Sequence, residues 1–309
     1  MNLKKPKFWD KQEPNFFSYI LIPITIFFKI IVSLKPKSKI KIKDIKTICV
    51  GNIYLGGTGK TSLAIKIKEI LTKKNIKTCF VKKFYTNQFD EQKLLKSYGK
   101  LFVANKRIDA LNQAAKENYA VAILDDGLQD YSINYDISLV CFNTINWIGN
   151  GMTIPSGPLR EPINELKKYQ HVFLNGNLEN TNSIKQELYK INPEINIHIG
   201  KYEPINLDEF DKKENYLVFS GIGNHGTFIS MLKNNKFKIS KEYEYPDHYE
   251  YKNQDIDKIL NEASNLNCKI ITTEKDYLRL KNNKNNFKIK YIKSELKIID
   301  EEKLIKSIL

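Results

Sequence analysis

Arginine is scarce in this chain. Of its 50 basic residues only three are arginine, and the lysines are spread along the whole length, which gives a net charge of +15. A proteome biased toward lysine and asparagine explains most of this excess, and attraction to anionic lipid or nucleic acid is the alternative. No recognised nucleic-acid module is visible, so we expect no nucleic-acid partner.

Since arginine offers a planar pair of donors, Arg107 and Arg160 are candidates for phosphate contacts, with structural ion pairs as the alternative.

Cysteine is also sparse, with four residues far apart in the sequence. No Cys-x-x-Cys pair occurs, so neither a disulfide framework nor a cysteine metal site is indicated. Cys49, Cys79 and Cys141 lie in apolar, strand-like runs. This usage fits a reducing, cytoplasmic setting.

The N-terminal region lacks the small-residue cleavage site of a signal peptide. It carries one apolar run, residues 16–34, which is interrupted by Pro23 and Lys29 and flanked by basic residues. That length is marginal for crossing a bilayer. We expect residues 1–40 to form a helix in the membrane interface. A long buried helix of the fold and a true span are the alternatives.

The rest of the chain alternates between apolar strand-like runs and helical segments, without internal repeats. This alternation predicts an α/β fold with a parallel sheet covered on both faces. Residues 41–190 are expected to form a P-loop core, and residues 191–309 a smaller α/β domain. Strands are predicted near 47–50, 78–81, 101–104, 120–124, 137–142 and 171–174, and helices over 61–73 and 107–117. The second domain is predicted to have strands near 216–219, 269–272 and 287–292, and helices near 227–232 and 255–265.

A glycine-rich loop joins the first predicted strand to the first predicted helix. It reads Tyr54-Leu55-Gly56-Gly57-Thr58-Gly59-Lys60-Thr61. In a P-loop, backbone N–H groups cradle phosphate oxygens, the lysine neutralises the β- and γ-phosphates and the hydroxyl reaches Mg²⁺. Tyr54 stands where the usual pattern has its first glycine. A glycine turn before an amphipathic helix is the alternative.

A second motif ends the buried run 120–124 with Asp125-Asp126-Gly127. A strand that ends in acid is typical of a Walker-B element, whose carboxylate holds Mg²⁺. Adjacent side chains point in opposite directions in an extended chain, so one acid can serve the metal and the other a neighbour. An ordinary Asp-Gly turn is the alternative. Thr61, Asp125 and Asp126 are thus the candidate metal ligands.

Two further loops carry candidate residues. Arg160 lies in the proline- and glycine-rich segment 155–162, which can equally be a structural loop. His248 is one of only four histidines and follows Asp247. A lone histidine is more often structural than catalytic, and the neighbouring acid modestly raises the weight of a catalytic role.

Together these motifs resemble the tetraacyldisaccharide 4′-kinases, the lipid A 4′-kinases of Gram-negative bacteria. The resemblance covers nearly the whole chain, and its segments occur in the family's order. They are Gly51-Asn52, Gly56–Thr61, Asp125–Tyr131, Gly149–Gly151, Gly157–Pro162, Gly221–Asn224, Pro246–His248 and Thr273–Asp276.

The resemblance implies an ATP- and Mg²⁺-dependent kinase of lipid A biosynthesis. Its acceptor would be the 4′-hydroxyl of a tetraacylated glucosamine disaccharide 1-phosphate, and its location the cytoplasmic face of the inner membrane. By motif, Asp90 is similar to the acid that activates the hydroxyl, His248 to its partner and Arg160 to a phosphate-contacting arginine. Tyr85 is similar to the tyrosine of the family's Ser-Arg-Gly-Tyr-Gly segment. Residues 82–87 depart from the family's Ser-Arg-Gly-Tyr-Gly-Gly segment.

The resulting hypothesis is a phosphotransferase in which Lys60 and the loop amides hold the phosphates and Asp90, oriented by His248, accepts the hydroxyl proton. Its partners are a lipid disaccharide and the membrane surface, with no obligate protein partner. The main alternative is a membrane-associated P-loop ATPase switch that acts through protein partners, although Leu55 occupies the position where such proteins often carry lysine. A kinase of a soluble acceptor is a second alternative.

Overall fold

The computed structural model of the chain describes residues 5–33, 39–85, 89–176, 178–247, 249–280 and 286–309. These residues divide into two compact units. The first unit comprises residues 5–175, 179–199 and 298–309, and the second is formed mainly by residues 200–297.

The first unit is built on the strands β7-β6-β5-β1-β4-β2-β3, in this order, of an eight-stranded sheet. Each of these seven strands, β1 to β7, pairs in parallel with its neighbours among them. Their bounds are β1 Lys46–Gly51, β2 Thr78–Lys83, β3 Leu101–Ala104, β4 Val121–Asp125, β5 Ile137–Asn143, β6 His171–Asn175 and β7 Asn196–Pro204, with β12 Ser294–Ile298 at the edge. The carboxyl ends of β1, β2, β4 and β6 therefore meet at one edge of the sheet, where ligands of open α/β sheets bind.

Helices cover this sheet because their apolar residues recur at helical spacing. In α3 (Lys60–Lys73) Leu63, Ile67, Ile70 and Leu71 are buried, and in α5 (Arg107–Lys116) Ala110, Leu111 and Ala114 are buried. The unit also contains α4 (Phe89–Tyr98), α6 (Thr181–Ile191) and α10 (Glu301–Ile308). All four cysteines are free thiols, and the three in strands are fully buried.

The apolar N-terminal run forms two helices rather than one, α1 (Phe16–Ile20) and α2 (Ile22–Ser33). Pro23 lies in the first turn of α2, where proline is tolerated because that N–H has no helical acceptor. Ser18 and Thr25 are buried, and Thr25 Oγ1 lies 2.8 Å from Ser156 Oγ. Phe16, Phe17 and Phe27 are more than half exposed. None of the helices in the described ranges is both long enough and apolar enough to cross a bilayer.

The second unit has its own parallel sheet, in the order β11-β10-β8-β9. The strands are β8 Asn215–Ser220, β9 Lys238–Glu244, β10 Lys269–Thr273 and β11 Ile289–Ile292. Alternate residues of β8 face two cores: Tyr216 and Val218 belong to the cluster that includes residues of α7 (His225–Asn234), while Leu217 and Phe219 belong to the cluster that includes residues of α8 (Asn253–Asn265). A short helix, α9 (Glu274–Arg279), follows β10.

The predicted parallel sheet is confirmed, and the predicted strands and helices form close to their expected places. The sequence reading did not identify α4, α6, α9, α10 or the strands β7, β9 and β12. The region 175–196 contains α6, whose buried Ile184 and Leu188 are spaced four residues apart. That spacing was a usable helix signal.

Candidate functional site

The glycine-rich loop connects the end of β1 directly to the N-terminus of α3. Gly59 precedes the helix with φ of 78°, a left-handed conformation that glycine adopts without steric cost. Lys60 and Thr61 are the first two residues of α3. The free N–H groups and positive dipole of this helix terminus favour an anion at the loop.

Three polar contacts hold the loop in place. Nδ2 of Asn52 donates to the carbonyl oxygen of Gly56 (3.2 Å), and Nδ2 of Asn175, at the end of β6, donates to that of Thr58 (2.7 Å). The backbone N–H of Leu55 donates to the carbonyl oxygen of Pro158 (2.8 Å). Tyr54 is buried, and its hydroxyl donates to Asp10 (2.5 Å), so the missing first glycine is replaced by an anchored side chain.

The two acids after β4 face different partners. Asp125 is fully buried, and Thr61 Oγ1 lies 3.4 Å from each of its carboxylate oxygens. Asp126 has a left-handed φ of 58° and accepts a 2.9 Å hydrogen bond from Nη1 of Arg160. Burial would raise the pKa of Asp126, but Lys60 and Arg160 hold it below its usual value. Asp126 is therefore a carboxylate near neutral pH, and Asp125 is the acid beside the loop hydroxyl.

Lys82 is a residue of this site that the sequence reading did not assign. It lies in β2, which pairs in parallel with β4, and its Nζ donates to Asp125 Oδ2 (2.7 Å) and Glu91 Oε2 (2.5 Å). Burial would lower the pKa of the Lys82 ammonium, but Asp125 and Glu91 raise it above its ordinary value. Lys82 and Asp125 are 43 residues apart in the sequence, so no local pattern could have revealed their ion pair.

Gln129 links the Asp-Asp-Gly-Leu-Gln motif to the loop that contains Arg160. Its Nε2 donates to Glu161 Oε1 (2.8 Å) and to the carbonyl oxygen of Asn52 (3.1 Å), and its Oε1 accepts from Arg160 Nη1 (3.1 Å). Arg107 is buried and donates to the carbonyl oxygen of Asp126 (2.5 Å) and to Asp130 (3.2 Å). Arg107 thus has a structural role, while Arg160 pairs with Asp126.

The oxygen atoms beside the loop suit a magnesium ion. No group of three or more His, Cys, Asp or Glu side chains that could hold a metal occurs within the described ranges. Mg²⁺ does not require one, because it takes one or two carboxylates and completes its shell with phosphates and water. Thr61 and Asp125 supply a hydroxyl and a carboxylate of this kind, so the residues fit the ion.

A cavity of about 790 Å³ opens in the same unit beside Arg160. Its wall combines apolar, aromatic and charged side chains, including Phe28, Lys29, Tyr131 and Glu161. This volume lies within the range of small-molecule sites. The cavity therefore connects α2, which carries exposed aromatic residues, with the arginine that pairs with Asp126.

The candidate catalytic pair lies outside what the structure describes in atomic detail. Asp90 belongs to the first turn of α4, but its side chain is not among the described ones, and His248 lies outside the described residues. In the second unit, Asp276 accepts from the N–H of Gly221 (3.0 Å), Tyr251 Oη (2.9 Å) and Arg279 Nη1 (3.0 Å). The Gly221–Asn224 and Thr273–Asp276 segments thus meet in one buried network.

Comparisons with known proteins agree with this geometry. The sequence profile of the tetraacyldisaccharide-1-P 4'-kinase family matches residues 17–309. The chain is 63% identical to the tetraacyldisaccharide 4'-kinase of Pelagibacter ubique (strain HTCC1062) over 305 residues, 98% of this chain and 96% of the relative. It is 34% identical to the enzyme of the same name from Rickettsia canadensis (strain McKiel), over 93% of this chain and 91% of the relative.

A solved structure is similar in fold. The crystal structure of LpxK from Aquifex aeolicus in complex with ATP superimposes with a TM-score of 0.64 at 21% identity, covering 94% of this chain and 99% of that one. The similarity confirms the predicted P-loop fold class.

Proposed function

Since this chain belongs to the tetraacyldisaccharide-1-P 4'-kinase family, we propose that it transfers the γ-phosphate of ATP to the 4′-hydroxyl of a tetraacylated glucosamine disaccharide 1-phosphate. The family resemblance read from the sequence motifs is confirmed. None of the relatives favours the alternative of a P-loop ATPase switch. The product, a lipid disaccharide with two phosphates, places the reaction in lipid A biosynthesis.

The observation that carries this proposal is the convergence of the loop, Asp125 and Arg160 at one edge of the sheet. Lys60 and the loop amides bind the β- and γ-phosphates, and Arg160 contributes positive charge next to Asp126. Phosphoryl transfer depends mainly on such positioning and charge stabilisation. Thr61 and Asp125 would hold Mg²⁺, which would neutralise charge on the phosphates.

The acceptor hydroxyl needs a base. We assign this role to Asp90, oriented by His248, on the family resemblance. The placement of Asp90 in the first turn of α4 supports the assignment, because Glu91 in the same turn is tied to Asp125 through Lys82. A carboxylate held near the phosphate site can accept the sugar proton as transfer proceeds.

The lipid character of the acceptor is supported by the N-terminal helices. One side of α1 and α2 is fixed to the loop near residue 150, where Nδ2 of Asn150 donates to Ser18 Oγ (2.9 Å), and large apolar side chains remain exposed. We propose that these side chains enter the inner membrane from its cytoplasmic face. The adjacent cavity, lined by Phe28, Lys29 and Arg160, would receive part of the acylated disaccharide phosphate.

The direct test is an assay of the purified protein with radiolabelled ATP and the lipid disaccharide 1-phosphate. We expect a doubly phosphorylated lipid whose new phosphate is at the 4′ position. A matched acceptor that lacks the 4′-hydroxyl should receive no label. Hydrolysis of ATP with no labelled lipid would contradict the proposed acceptor while leaving the nucleotide site intact.

A further inference from the structure

Lys82 stands apart from the other lysines of the chain. Among the described residues it is the only lysine that is buried, with 1% of its side chain exposed. It lies near the carboxyl end of β2, next to the end of β4, because Val81 pairs with Leu124 in the parallel register. A buried lysine requires an acidic partner, since an unpaired buried charge is costly.

Its ammonium lies between two carboxylates. Nζ is 2.7 Å from Asp125 Oδ2 and 2.5 Å from Glu91 Oε2. Two carboxylates that face one point beside a phosphate-binding loop form an arrangement that proteins commonly use for divalent cations. Here a side-chain cation occupies that point.

Asp125 is approached from two sides. Thr61 Oγ1 lies 3.4 Å from both of its oxygens, while Lys82 contacts Oδ2 and joins it to Glu91. A divalent cation bound beside Thr61 therefore shares Asp125 with the ammonium. The same ammonium occupies the position between Asp125 and Glu91.

We propose that Lys82 determines the number of metal ions in the site: its ammonium takes the place of a second divalent cation between Asp125 and Glu91, so that the protein holds a single divalent cation on the Thr61 side. The proposal rests on the proposed function only in identifying a Mg²⁺–nucleotide site. Lys82 also reduces the negative charge that any cation meets there.

The experiment counts bound Mn²⁺ by electron paramagnetic resonance and calorimetry, with and without a non-hydrolysable ATP analogue. The wild-type protein should bind at most one Mn²⁺ per chain. Lys82→Met should bind a second, and without nucleotide its apparent Kd for Mn²⁺ should fall by about tenfold or more, because a positive charge is removed within contact distance. Mn²⁺ should also raise the melting temperature of this variant more than that of the wild type.

Three variants serve as controls. Lys82→Arg keeps the charge and should remain at one ion, and Lys82→Met/Glu91→Gln should return to one because the second carboxylate is gone. Lys83→Met removes the same charge from the next residue of the strand, whose side chain points to the other face of the sheet, and should bind Mn²⁺ as the wild type does.

Several outcomes would overturn the proposal. They are two Mn²⁺ ions in the wild type, unchanged Mn²⁺ binding in folded Lys82→Met, or failure of that variant to fold even at millimolar Mn²⁺, since a divalent cation should replace the ammonium. Metal counting requires neither lipid nor phosphoryl transfer. A protein that shows the expected Mn²⁺ counts but does not phosphorylate the lipid would therefore contradict the proposed function and not the role of Lys82.

Discussion

A buried pair of histidines should make the first unit sensitive to mild acid. His171 begins β6 and His198 lies on the neighbouring strand β7, with Nδ1 of the former 3.2 Å from Nε2 of the latter. Both side chains are almost fully buried. Burial lowers the pKa of each imidazole from 6.5 to about 4, so both rings are neutral in the folded protein at pH 7.

The sign of the effect follows from proton uptake. Below pH 6.5 the unfolded chain binds protons at these positions and the folded chain does not, so stability falls as the pH drops from 6.5 toward 4. Between pH 8 and pH 5 the loss is about 2 kcal/mol per histidine, or about 4 kcal/mol for the pair. This is a large part of the 5–15 kcal/mol typical of a folded domain.

Tryptophan fluorescence during urea unfolding can measure this loss. The two tryptophans of the chain, Trp9 and Trp147, both belong to the first unit. Between pH 8 and pH 5, the fall in the free energy of unfolding should be about 4 kcal/mol smaller for the double variant His171→Leu/His198→Leu than for the wild type. Carboxylates whose pKa is lowered in the folded protein, such as Asp130, change the stability only below about pH 3.8, which is outside this window. An equal acid sensitivity in the double variant would refute the argument.

Three further predictions concern activity. Lys60→Ala should remain folded and lose at least a hundredfold in kcat/KM, about 3 kcal/mol, because the loop loses its cation at the phosphates; near-wild-type turnover would contradict the P-loop assignment. Phe16→Ser/Phe27→Ser should reduce flotation with anionic vesicles and lipid phosphorylation, with ATP binding and melting temperature kept; unchanged flotation would place the membrane contact elsewhere. Asp90→Ala and His248→Ala should each lower kcat, and the double variant should lose less than the sum in free energy; additive losses with stable folds would reject the pair.

Local patterns predicted much of the framework because a parallel sheet requires buried strands with recognisable runs. The glycine-rich loop and the Asp125-Asp126-Gly127 motif were identified for the same reason, since each is contiguous in sequence. α4 was missed because its residues are mostly polar and lack a clear apolar stripe.

The contacts that complete the site were beyond such reasoning. Asn175 contacts Thr58 across 117 residues, and nothing near Asn175 indicates a loop partner. One general signal was available, because Asn175 ends a buried strand at the edge of the sheet where Asp125 also ends one. Lys82 offered no such signal, because one lysine among the many in this chain does not indicate a buried ion pair.

The division of the chain into units has a consequence for synthesis on the ribosome. Residues 298–309 belong to the first unit, and Leu304, Ile305 and Ile308 of α10 are buried. Residues 200–297, which form most of the second unit, are translated before them. The loop, its carboxylates and the surrounding strands therefore emerge early, whereas the unit that contains them gains α10 only after residues 200–297 have been translated. During that interval the nascent first unit exposes the surface that α10 later covers, and a chaperone that recognises apolar surface would have the opportunity to bind there.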